Sequence, residues 1–355
     1  MSHIILGGSA NALAIARLLK APNSIILDFN DCSPAMSTKY AKGLRLLSKN
    51  EQEVLETLLS LKAPPPKTLY PTSDYWVEFI AKNSSTLQEH GFLFFKTPYN
   101  CSETILDKLK FFQIMSPCFP TPLTRLADKA PTRSEEIIKP RKSFIDSSLV
   151  DKGFLYTTKY VRNASTYVKQ QRLNSNIYNH LSIAGLFLAG KLHTVIYTRK
   201  LLEYPHPGGT AVMVSTIDSE EIRARLRKLA ESALRHISYE GIFELEAILE
   251  DETLWLIEIN GRFWLQHAIG EQLGINFPKL YHQALTGCIT PTEAKSRVTA
   301  LWIHEGLPLA FLKAPSYMKK IVLKELLKKR NWAFAHIDLK DLTPFIKFIR
   351  CKLKK

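Results

Sequence analysis

The sequence is short of cysteine, of long apolar runs and of any complete glycine signature for nucleotide binding. Each shortage excludes something. The five cysteines, Cys32, Cys101, Cys118, Cys288 and Cys351, are odd in number, scattered, and never spaced as CxxC. That pattern offers neither a zinc site nor a disulfide framework, and it fits a reducing cytosol, so a cytoplasmic protein is expected. No apolar stretch is long enough to span a bilayer. The opening MSHIILGGSANALAIARLL lacks a basic leader and a clean cleavage site, and reads as strand, turn and helix instead of a signal peptide. There is no internal repeat and no low-complexity segment. The GGSAN turn, with Asp28 beyond it, invites a dinucleotide-binding reading, but only Gly7 and Gly8 stand where GxGxxG would be needed.

What is present is a chain of 355 residues with 45% hydrophobic content, enough for two or three packed domains. The net charge of +15 is uneven: from Phe311 to Lys355 there are 13 Lys/Arg against 3 Asp/Glu, a net +10. A near-neutral body with a basic end does not imply nucleic-acid binding by the whole chain.

Strand and helix patterns alternate at the start: His3–Leu6, a helix over 11–20, the strand SIILD, and a strand within TLYPTSD after a proline-rich loop. This alternation predicts a parallel sheet covered by helices, placed at 1–103. ETILDKLKFFQIM reads as one amphipathic helix, SPCFPTPLTRL as extended chain, and EEIIKPRKSF and FLYTTKYV as short strands. Successive strands follow over 165–216, with a hairpin turn at Ala189-Gly190-Lys191, then a strong amphipathic helix over Ser219–His236. FELEAILEDETLWLIEIN reads as a second hairpin turning at Asp251-Glu252, and helices are expected over 266–273 and 278–286.

In LWLIEINGRFW, Glu258, Asn260 and Arg262 alternate with Ile257, Ile259 and Gly261. Alternate residues of an extended chain share a face, so a carboxylate, an amide and a guanidinium point the same way beside an apolar core. The incoming strand supplies Glu244 and Glu246, and antiparallel pairing brings Glu246 opposite Glu258. Unpaired carboxylates there repel, and carboxylate plus amide oxygens suit Mg²⁺, a hard cation that also takes phosphate ligands. The competing explanation is a polar-faced surface hairpin.

At these residues the sequence resembles the ATP-grasp superfamily, in its carbamoyl-phosphate-synthetase-like branch of predicted carboxylate–amine ligases. The resemblance covers about 1–290 in the expected order. IEINGRFW resembles that family's metal-binding ExN and its phosphate-contacting arginine, and FELEA its preceding acidic strand. LDKLKFF and IIKPR resemble the segments with the phosphate-binding basic residues, and TKYV the hinge that meets adenine. PHPGGTAVMVST, GGSAN and YPTSDYW also match in place.

The resemblance implies a fold of mixed α/β and α+β class. A Rossmann-like pre-ATP-grasp domain (1–103) would precede a small subdomain (104–164), a catalytic subdomain (165–290) and a basic C-terminal extension (291–355). It implies ATP and Mg²⁺ as cofactors, with Mn²⁺ as an alternative ion, and ligation of a small-molecule carboxylate to an amine through an acyl phosphate. Glu246, Glu258 and Asn260 would hold the metal. Lys108 and Lys139 would meet the phosphates, Tyr160 and Val161 the adenine, with Glu258 also on the nucleotide side. Arg262 and Lys139 would act in catalysis. Arg199, Trp264 and His267 are candidates for the substrate pocket, and a homodimer is open. Departures are Gly261, where the family often has proline, and a phosphate-covering loop, RKSFIDSSLVDKG, with Gly153 as its sole glycine.

The rival reading is an ATP-binding module or kinase-like phosphotransferase without ligase activity, recruited to a membrane or an acidic partner. It rests on the tail PFIKFIRCKLKK, a basic amphipathic segment that could give peripheral membrane contact through 344–355.

Overall fold

A computed structural model describes residues 1–97, 99–128, 134–145, 148–149, 164–174, 178–205, 208–289, 298–328 and 331–353. The N-terminal strands are β1 (Ser2–Leu6), β2 (Ser24–Asp28), β3 (Lys42–Arg45), β4 (Lys67–Pro71) and β5 (Phe92–Leu93). They form a parallel sheet in the order β3-β2-β1-β4-β5. Every residue of β1 is buried, as a parallel strand covered on both faces must be. Helix α1 (Ala10–Leu19) lies over one face, against Ile5, Ile26 and Tyr70. Helices α2 (Glu51–Leu59) and α3 (Asp74–Lys82) lie over the other, against Ile4, Leu27 and Leu69.

After α4 (Ser84–Glu89) the predicted single helix is two, α5 (Tyr99–Leu106) and α6 (Lys108–Met115). The break has a local cause. Asp107 leaves the helical conformation, and its carboxylate accepts the Leu109 and Lys110 amides as the N-cap of α6. Strands β6 (Thr124–Leu126), β7 (Glu136–Pro140) and β10 (Tyr167–Gln171) make a small antiparallel sheet in the order β6-β10-β7, and β8 (Phe144–Ile145) and β9 (Ser148–Leu149) a separate hairpin. Residues 167–171, expected with the catalytic subdomain, are therefore hydrogen-bonded to the small sheet. FLYTTKYV and residues 146–147 and 150–153 of the expected phosphate-covering loop lie outside the described residues.

The large sheet has seven strands: β11 (His180–Leu188), β12 (Lys191–Tyr204), β13 (Thr210–Thr216), β14 (Gly241–Glu250), β15 (Thr253–Asn260), β16 (Ala300–Ile303) and β17 (Asn331–Phe334). Their order is β15-β14-β11-β12-β13-β16-β17. The segment beyond 290, expected as a basic C-terminal extension, adds two strands to this sheet. The helix α7 (Glu220–His236) covers one face: Leu226, Ala230, Ala233 and Leu234 pack on Leu181, Phe243, Leu245, Leu256 and Ile259. The other face is partly packed, with Ala184, Leu186 and Ile242 in one core cluster with Trp264 and Phe277, and elsewhere opens on the cleft described below. Two short helices, α8 (Ile269–Gln272) and α9 (Phe277–Leu285), return the chain to the parallel sheet. Helices α10 (Leu307–Lys313), α11 (Ser316–Leu327) and α12 (Thr343–Leu353) complete the chain.

Candidate active site

The predicted hairpin forms, and its register decides the chemistry. Asp251 and Glu252 both take positive φ, 46° and 60°, in a tight turn whose twist matches the strands. Glu246 pairs with Glu258 and Glu244 with Asn260. One step further the register shifts, because Ala247 pairs with Leu256 and leaves Ile257 as a bulge. The bulge reverses the alternation. Leu254 and Leu256 face the α7 core; after Ile257 it is Ile259 that does so, and Glu258 and Asn260 turn to the other side. Without the extra residue the two polar groups would follow Leu256 into the core.

They face instead a cleft of about 610 Å³ lined by Lys108, Lys139, Lys200, Glu244, Glu246, Glu258, Asn260 and Arg262. The lysines come from three elements. Lys108 starts α6, and its amide donates to the Arg141 carbonyl at 3.0 Å. The Arg141 Nε donates in turn to both Asp107 carboxylate oxygens at 2.8–2.9 Å. This reciprocal tie holds the start of α6 beside the end of β7, so Lys108 and Lys139 reach the cleft together. Lys200 arrives from β12 and is paired with Glu203 at 3.2 Å.

The charges are crowded and only partly matched. Burial, then the charge of Glu246, raises the Glu244 carboxyl well above the usual carboxylate range. Burial brings the Lys139 ammonium down to about 8 against the pull of Glu258, with Lys108 and Lys200 pushing the same way as burial. Burial alone would lower Lys200, but Glu203 and Glu246 outweigh it and raise it. Asn260 Nδ2 donates to Glu244 at 3.3 Å and Glu258 at 3.4 Å, and Glu246 pairs with His180 Nε2 at 2.8 Å. A hard divalent cation fits this donor set. It would take the oxygens of Glu246, Glu258 and Asn260 and relieve the repulsion among the carboxylates.

Arg262 is aimed by the N-terminal domain. Its Nε donates to Asp74 Oδ1 at 2.7 Å and an Nη to Asn260 Oδ1 at 2.9 Å. Burial would raise the Asp74 carboxyl, but the Arg262 guanidinium outweighs it and holds it at about 2. Gly261 sits in a tight place: a Cβ there would stand 2.6 Å from Ile105 Cδ1, the movable end of a side chain, and 3.1 Å from Tyr239 Oη.

Three expected pocket residues lie elsewhere. Trp264 is buried against Phe277, with ring centres 4.9 Å apart. His267 is fully buried, and its Nε2 donates to the Asn11 carbonyl at 2.9 Å. Arg199 stacks over the Tyr178 ring at 5.8 Å, while its strand neighbour Lys200 takes the cleft side. Alternation permits only one of Arg199 and Lys200 to face the cleft, and the sequence does not say which. Asp74 and His180 carry no signal in the sequence that points to the site. Tyr160 and Val161 lie outside the described residues.

The dinucleotide reading also fails on geometry. A Cβ on Gly8 would stand 2.3 Å from Asp28 Oδ2 and 2.5 Å from Ser33 Cβ, so the space over the turn is filled. Asn11, at the start of α1, donates from its side chain to the Thr72 and Phe263 carbonyls at 2.8 and 2.9 Å, tying the end of the parallel sheet to the chain just beyond β15.

By sequence, no protein-family model and no curated protein matches the chain. By structure it is similar to L-amino acid ligase from Bacillus licheniformis, with a TM-score of 0.57 and 17% identity over 83% of this chain and 75% of that one. It is similar to N5-carboxyaminoimidazole synthetase from Staphylococcus aureus complexed with ADP, with a TM-score of 0.59 and 13% identity over 84% and 81%. A third is the biotin carboxylase domain dimer of the Hydrogenobacter thermophilus 2-oxoglutarate carboxylase, a complex with MgADP, ADP and bicarbonate, with a TM-score of 0.59 and 13% identity over 83% and 72%. At these identities the likeness is one of fold.

Proposed function

From the ATP-grasp fold established by those likenesses, we propose that the chain is an ATP-dependent ligase that joins a carboxylate to an amine through an acyl phosphate, releasing ADP and phosphate. The observation that carries this reading is the convergence of three lysines, Arg262, three glutamates and Asn260 on one cleft. Phosphoryl transfer asks for alignment and charge neutralisation more than for covalent chemistry by the protein. Mg²⁺ would be held by Glu246, Glu258 and Asn260 and would neutralise phosphate charge when bound. Lys139 and Lys108 supply the remaining positive charge from the small-sheet side, and Lys200 does so from the large sheet. Arg262, braced by Asp74 and Asn260, presents its planar fork to a phosphoryl or carboxylate oxygen pair. The amine attacks the acyl carbon, and phosphate leaves with the bonding pair.

The test is ADP release screened over amino acids and small carboxylates, singly and in pairs. Turnover should require a carboxylate, deliver phosphate free in solution, and fall at least about a hundredfold in Glu258→Gln with the fold intact. Phosphate retained on the acceptor would instead favour a kinase. Full activity of Glu258→Gln would remove the metal assignment.

A further inference from the structure

Exposed large apolar side chains are concentrated between Leu309 and Ile349. On their inner sides α10 and α11 are ordinary core helices: Ala310, Ala314, Met318 and Val322 pack on Leu202, Met213 and Leu301. On their outer sides Leu312 is 71% and Leu327 85% exposed, and Leu323 half exposed. Trp332 of β17 belongs to the same layer. Phe334, two residues on, packs into that cluster, and the two rings lie 6.1 Å apart. On α11 the pairs Leu323/Leu327 and Lys320/Lys324 are each spaced by four and form adjacent exposed stripes.

The charge of this region is one-sided where it meets solvent. Of its three acids, Glu325 and Asp341 are buried, 5% and 4% exposed, in ion pairs with Lys328 and Arg17. The third, Asp338, also faces Arg17, at 3.8 Å. The acids are turned inward and the lysines outward. Helix α12, by contrast, is tied to the body. Phe348 stacks on His336 with ring centres 4.4 Å apart, and Lys347 bonds the Asp31 carbonyl.

We propose that the outer face of α10 and α11, with Trp332, docks on an anionic membrane surface. Exposed leucines and an interfacial tryptophan would enter at headgroup depth while the lysines meet lipid phosphates. The docking is peripheral, since among the described residues no helix is long and apolar enough to cross a membrane. Tyr317 and Met318, in the first turn of α11, line the cleft, so docking holds the cleft beside the lipid surface. The inference does not depend on the ligase reading.

The test is co-sedimentation of the full chain with phosphatidylglycerol-containing vesicles and with pure phosphatidylcholine vesicles. Binding should require the anionic lipid and weaken with salt. Leu323→Ser/Leu327→Ser should lower partitioning at least about tenfold, and Lys320→Gln/Lys324→Gln roughly thirtyfold. Both pairs occupy exposed positions, so the melting temperature should not move. Three results would overturn the proposal: no binding to anionic vesicles, equal binding to both kinds, or undiminished binding by the leucine pair. A fourth is a dimer in solution that the leucine pair makes monomeric, because a second copy would then cover this face.

Discussion

Two strand ends in this chain look alike in sequence and differ in physics. ILGGSAN and IEINGRFW each end a strand with glycine and an asparagine. At the first, the volume over Gly8 is filled by Asp28 and Ser33, and the Asn11 amide is bonded to the Thr72 and Phe263 carbonyls. At the second, Asn260 stands between the crowded carboxylates of Glu244 and Glu258, beside a cleft of about 610 Å³. A satisfied polar group in a filled space holds a fold together. Unbalanced charge next to open volume marks a place where a ligand completes the structure.

The contrast is sharpest where function and stability should separate. Lys139→Met removes a half-buried ammonium that its surroundings already disfavour, so the melting temperature should hold or rise. If the ligase proposal holds, the same change should lower ATP turnover at least about a hundredfold, because the proposal gives this charge to the phosphates. Calorimetry and an ADP-release assay on one preparation read both. A matched loss of stability and activity would erase the distinction between the two strand ends.

Asn11→Ala should do the reverse. It leaves the Thr72 and Phe263 carbonyls buried without their donor and should cost about 2–3 kcal/mol by urea denaturation. Turnover per folded molecule should stay within about threefold, since no cleft group is touched and the loss is one of stability. A large fall in turnover of fully folded Asn11→Ala would mean that this junction sets the position of Arg262 more tightly than Asp74 does.

Much of this was legible in the sequence for a definite reason. Period-two alternation and hairpin turn residues bring Glu246 to Glu258, and both strands carried the pattern openly. The Ile257 bulge was not legible, because an extra isoleucine in an apolar run changes no pattern until its partner strand is known. Asp107 as a helix break was available in principle, as an aspartate two residues before its bonded amide, but the flanking apolar spacing masked it. Asp74 could not be found at all. It meets Arg262 from 188 residues away, and nothing local to either residue encodes the contact. The sequence suggests Trp264 and His267 by nearness to Arg262 and Arg199 by its place late in a strand, and neither fixes the direction in which a side chain points.

The variant with the smallest expected effect at pH 7, His267→Gln, tests the filled region by pH. Burial brings the His267 ring down to about 4, and its Nε2 must stay protonated to serve the Asn11 carbonyl, so the folded chain carries it neutral. The unfolded chain takes up a proton near pH 6.5, which favours unfolding. The histidine therefore leaves stability whole above about pH 6.5 and withdraws it as pH falls toward 4, by an amount on the order of 3 kcal/mol. His3, also brought down to about 4 by burial and by His282, acts in the same direction. His267→Gln keeps a donor where Nε2 stands and has nothing to titrate. It should lower stability at pH 7 by about 1–2 kcal/mol and flatten the decline between pH 6.5 and 4, read from urea midpoints. An unchanged pH slope would show that the junction tolerates a charged ring, and that its closed packing is less strict than the Asn11 bonds imply.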